Sequence, residues 1–169
     1  MSLSIYQRII ADAFDSKNWK YSCKNLSEEK SMFSINFTSD VYGKTSCKVT
    51  IFDDGVCDIE AVLPIVCPKE QHMELCYYLA SYNCLKRYAT LRLDINDGEI
   101  NNGYSYVFNN ATTPKDFLNR FLNVKDVDDS VLKDLISLCK KNIPDKSSAV
   151  ITESQTTSGG KNGKHKLVL

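Results

Sequence analysis

Seven cysteines, at positions 23, 47, 57, 67, 76, 84 and 139, are the residues of this chain with the widest chemical repertoire. Zinc sites draw on close ligand pairs and histidines, whereas this chain has no CxxC pair and only His72 and His165. Cys47 and Cys57 fall on the apolar phase of strand-like segments, and Cys76 and Cys84 on an apolar helical stripe. A cysteine in such a place acts as a small hydrophobe. Cys67 is different. It precedes Pro68 at a helix start, where the dipole and unpaired amide groups favour a thiolate, and Lys69 follows. A small thiol-dependent enzyme or redox protein using Cys67 is therefore the alternative reading of this chain.

The other candidates have plainer explanations. Asp53-Asp54 and Asp94 with Asp97 resemble paired carboxylates, but turns and a polar strand phase account for them, and EF-hand spacing is absent. SGGKNGKH lacks the first glycine of a phosphate loop, since Ser158 stands there, and His165 follows Lys164 where Ser or Thr belongs. It reads as a solvated linker. His72 sits in a first helical turn and reads as a surface residue. Tyr104, Tyr106 and Phe108 share one strand phase; base stacking would need Arg and Lys around them, and these are few, so core or partner contact is expected. No catalytic, cofactor-binding or metal-ligating set emerges.

The totals narrow the class. Twenty-one basic residues balance twenty-one acidic ones, which gives no sign of affinity for nucleic acid or anionic lipid. No apolar run approaches the ~20 residues of a membrane span. MSLSIYQRII has no basic start or long apolar core of a signal peptide, so the expected location is cytoplasmic. The expected organisation is one domain over 1–144 and a flexible polar tail over 145–169, rich in Ser, Thr, Gly and Lys.

The elements that must position these residues follow from periodicity. Residues 4–16 read as a helix, with Ser4 and Gln7 as a capping box and Ile5, Tyr6, Ile9, Ile10, Ala13 and Phe14 as its stripe. Four alternating segments follow, centred on Tyr21, Ile35, Val49 and Ile59. Asp54-Gly55 predicts a two-residue type I′ hairpin, with positive φ at both central residues. Pro64 predicts an end to pairing, and Pro68 opens a helix over 68–88. That helix is apolar on two stripes: Met73, Cys76, Tyr77, Ala80 and Cys84 on one, Leu75, Leu79 and Tyr82 on the other. A second hairpin, TLRLDI to GYSYVF, turns at Asp97-Gly98. Thr113-Pro114 starts a third helical region, interrupted at DVDD and resumed by Val131, Leu132, Leu135, Ile136 and Cys139. The fold class is thus α+β: an antiparallel sheet with helices packed on one side, in the order α-β-β-β-β-α-β-β-α. The second stripe of the middle helix needs a cover, either the third helical region or another polypeptide.

Residues 33–143 resemble the YbjN-like family of bacterial proteins, described as sensory-transduction regulators, which shares the fold of type III secretion chaperones. VTIFDDGVCDIEAVLPIVCPKE, YLASYNCLKRY with Asn83, and ATLRLDINDGEINNGYSYVF carry the likeness, with TPKDFLNRFL and SVLKDLISLCKK fitting its closing helical segment. The polar connector at 25–30 and the tail from 145 depart from it. The resemblance implies a non-enzymatic protein binder, chaperone-like or regulatory, that works as a homodimer without a cofactor. Chaperones of this fold pair through the middle helix and a neighbouring strand. Carried over by position, the dimer or partner-binding residues are Leu75, Leu79, Tyr82, Leu85, Tyr104 and Tyr106.

Overall fold

Strands β1 (Tyr21–Asn25), β2 (Lys30–Ser39), β3 (Gly43–Phe52), β4 (Val56–Val66), β5 (Thr90–Leu93) and β6 (Glu99–Val107) form one sheet in the order β1-β2-β3-β4-β6-β5, with every neighbouring pair antiparallel. The computed structural model describes residues 2–39 and 43–140, and the tail expected at 145–169 lies outside them. Four helices accompany the sheet: α1 (Leu3–Asp15), α2 (His72–Asn83), α3 (Pro114–Lys125) and α4 (Asp129–Lys140). Among the described residues no helix is long and apolar enough to cross a membrane.

Register explains why the helices share one side. Residues directly opposite across a ladder point to the same face. Phe33, Val49, Ile59 and Tyr104 form one such row, and Ile35, Cys47, Ala61, Asn102 and Leu91 the next. The alternate row, Ser34, Lys48, Glu60, Gly103 and Thr90, lies on the opposite face and is polar. α1 and α3 press Ile10, Phe14, Phe117 and Phe121 onto the apolar face, with the Phe14 ring 5.0 Å from that of Phe121. α2 and α4 close the other half of the same face, placing Leu75, Leu79, Leu132 and Leu135 over Leu63, Ile65, Leu91 and Ile100.

Local structure departs from the sequence pattern in five places. The helix expected over 68–88 is shorter: a 3-10 turn at Lys69–Gln71, then α2, which stops at Asn83 because that side chain reaches across to β5. The third helical region, counted as one element in the expected order, is two helices; the break falls at the expected DVDD interruption, over Asp126–Asp128, and lets α4 fold back over α2. β4 continues through Pro64 to Val66, because a register shift between Val62 and Val66 leaves no ladder bond for the proline to break. Ser4 is not the cap of α1; Ser2 holds that position, and Gln7 donates instead to Asn25 and Ser31. The Asp54-Gly55 hairpin is not type I′, since only Gly55 has positive φ. Asp54 accepts the Val56 N–H and Asp97 the Glu99 N–H, both at 2.9 Å, so the two turns do share their chemistry.

Candidate functional site

α2 is apolar on two sides, and its own chain covers one of them. Leu75 is fully buried and Leu79 is 5% exposed, both beneath α4. Tyr78 donates to Asp134 of α4 at 3.0 Å and stacks on Tyr82, over which the Lys86 ammonium lies 4.6 Å from the ring centre. Lys86 is tied in turn to Asp128 at 3.3 Å. The stripe assigned to a second subunit by position, Leu75, Leu79 and Tyr82, is therefore roofed within the subunit. The reason is the Asp126–Asp128 break, which returns α4 across α2. The uncovered stripe is the other one: Met73 (72% exposed), Cys76, Tyr77 (73%) and Ala80, continued past the helix end by Cys84 and Leu85 (85%).

Tyr104 and Tyr106 also face inward, half-buried beneath α3. Arg120 donates to the Tyr104 hydroxyl at 3.1 Å and sets its guanidinium 4.6 Å from the Tyr106 ring centre, a cation–π contact. Burial pushes the Tyr106 hydroxyl well above its usual range. Tyr88 stands edge-on to Tyr104, with centroids 6.0 Å apart, and divides two clefts between the segment after α2 and α3. The larger, about 280 Å³, is bordered by Tyr82, Lys86, Arg87 and Asp128; the smaller, about 240 Å³, by Asp116, Asn119 and Arg120. Tyr104 and Tyr106 thus lie beneath Arg120 of α3 and not on an outer face.

Asn83 stood out in the sequence only through the resemblance, and its work emerges from the fold. Its amide donates to the Leu91 carbonyl at 2.8 Å and accepts the Leu91 N–H at 2.9 Å. Those are the outward-facing groups of β5, the last strand of the sheet, so one side chain occupies the place of a seventh strand at that residue.

Cys67 is not placed for nucleophilic work. It is 2% exposed and its thiol points to the Pro68 carbonyl at 3.5 Å. Burial pushes the thiol up, with contact to Cys139 a smaller opposing effect, which is opposite to the thiolate that a helix start favours. Its backbone is held as well: the N–H donates to Gly98 at 2.8 Å, and the carbonyl lies 3.1 Å from His72 Nε2. His72 is thereby half-buried, not a surface residue. Among the described residues no group of three or more His, Cys, Asp or Glu is gathered to hold a metal ion. No protein-family model matches the chain, and no curated protein matches it.

Proposed function

We propose that the chain is a non-enzymatic protein-binding module, chaperone-like or regulatory, that acts in the cytoplasm as a homodimer. The observation carrying this reading is the uncovered stripe of α2, where Met73, Tyr77 and Leu85 expose most of their apolar surface side by side with Cys76 and Ala80. The occupant such a strip fits is an apolar segment of a client polypeptide. Methionine adapts to irregular surfaces, and tyrosine supplies a large ring with a polar tip at small entropic cost. The likeness to YbjN-like proteins and secretion chaperones supports the same class. The buried, hard-to-ionise Cys67 thiol favours it over a thiol-dependent enzyme.

Aggregation of reduced insulin B chain, followed by light scattering, tests the reading. Wild-type protein is expected to slow aggregation. Tyr77→Asp is expected to abolish that effect while leaving the melting temperature unchanged, because Tyr77 packs against little of its own chain. An aggregation curve that the wild type leaves unaltered removes the proposal.

A further inference from the structure

The two ends of the sheet are treated differently. At β5 the amide of Asn83 occupies the outward N–H and C=O of Leu91. At β1 nothing comparable is present: among the described residues no strand pairs with its outer side and no side chain bonds its outward groups. Which groups these are follows from the ladder. Leu26 N–H donates to the Lys30 carbonyl, so Leu26/Lys30 is a hydrogen-bonded pair. Alternation then makes Lys24/Met32 and Ser22/Ser34 hydrogen-bonded pairs too. The backbone N–H and C=O of Tyr21, Cys23 and Asn25 consequently point away from the sheet.

A cleft of about 380 Å³ lies beside this edge, between β1 and α1, lined by Gln7, Arg8, Ala11, Tyr21, Cys23 and Phe33. Its ends differ in charge. At the Asn25 end stands Arg8, next to Gln7, whose amide donates to Asn25 at 2.9 Å. At the Tyr21 end stand Asp15 and Asp12, whose carboxylates add to burial in pushing the Tyr21 hydroxyl up.

An occupant matching this edge must be an extended strand with the opposite charge order, and a second copy of β1 laid antiparallel is one. We infer that two chains join edge to edge through β1, about a twofold axis at Cys23, into one continuous sheet. In this register Tyr21 stands opposite Asn25 of the second copy, Ser22 opposite Lys24, and Cys23 opposite Cys23. No like charges meet across the ladder. Each outward N–H and C=O finds its complement, and the acidic end of each cleft meets the Arg8 end of the other. This inference rests on the homodimer of the proposed function and moves its contact from α2, the position the resemblance implies, to β1.

Light scattering on the full chain tests it. The expected mass is twice 19.1 kDa. Arg8→Asp sets acid against acid and is expected to weaken the dimer by roughly tenfold or more. Combining it with Asp12→Arg and Asp15→Arg restores the dimer. Cys23→Pro removes an outward N–H that β2 does not use and is expected to give monomer. With Cys76→Ser and Cys84→Ser as background, diamide is expected to link the two Cys23 side chains. Each thiol gives one hydrogen to its N=N bond, leaving a disulfide and the hydrazine; hydrogen-bonded partners ~5.5 Å apart lie within disulfide reach. A single-chain mass for the wild type overturns the inference. So does a dimer indifferent to Arg8→Asp, or a scattering-defined dimer that diamide does not link. A dimer lost with Tyr77→Asp instead places the contact on α2 and leaves the protein-binding reading standing, whereas failure with insulin B chain alone removes only that reading.

Discussion

At the scale of single residues, the side chains that matter most are those that answer backbone groups. Asn83 gives one hydrogen bond and takes one from Leu91. Asn83→Leu should cost about 1–3 kcal/mol in urea unfolding, because both Leu91 groups then lose their partner at a partly buried edge. Asn83→Asp should fall between, since a carboxylate accepts the N–H but offers nothing to the carbonyl. Gly98 is constrained more tightly. Its φ is +80°, and an added Cβ would stand 2.2 Å from the Cys67 carbonyl oxygen. Gly98→Ala should therefore destabilise by roughly 2 kcal/mol or more, read as a fall in melting temperature. The turn glycine was legible in the sequence. Its contact with Cys67 was not, because that contact joins the end of β4 to a hairpin some thirty residues later.

At the scale of elements, α2 shows what periodicity decides and what it leaves open. Spacing identifies two apolar stripes, Met73, Cys76, Tyr77, Ala80 and Cys84 on one side and Leu75, Leu79 and Tyr82 on the other, but it does not say which element covers either. The choice is made by α4, whose Leu132 and Leu135 meet Leu75 and Leu79. Leu79→Ala should accordingly cost about 2–5 kcal/mol, whereas Met73→Ser should stay within about 0.5 kcal/mol; chemical denaturation of both variants checks which face is core. The start of α3 was readable to the residue: Thr113 accepts the Asp116 N–H, and Asp116 accepts the Thr113 N–H at 3.2 Å. Hydrogen bonds from Thr113 hold the Asp116 carboxyl below its ordinary 3.8. A carboxyl depressed in the folded state stabilises fully above its unfolded value and loses that stabilisation as pH falls through its folded one. The melting-temperature gap between wild type and Asp116→Ala should therefore be constant near neutrality and close as pH drops below the carboxylate range.

At the scale of the whole molecule, strand phases alone were enough to specify a one-sided sheet, because every strand alternates and the helices carry matching stripes. What they could not specify was the division of the covered face. One cluster, under α1 and α3, lies on β2, β3 and β4 and is knit by rings: Phe14 meets Phe33, Phe117 and Phe121 within 6.2 Å. The other, under α2 and α4, rests on the far end of β4 and on β5 and β6, with aliphatic contacts and a four-residue outer strand. The two share a sheet but differ in what holds them. Opening the second exposes less apolar surface and breaks few ladder bonds, so local unfolding should begin there. Native-state hydrogen exchange should show α4 and α2 amides exchanging at a lower free energy than those of β3 and the first half of β4. Uniform protection across both clusters would mean that the face opens as one unit, with α4 as integral to the core as α1.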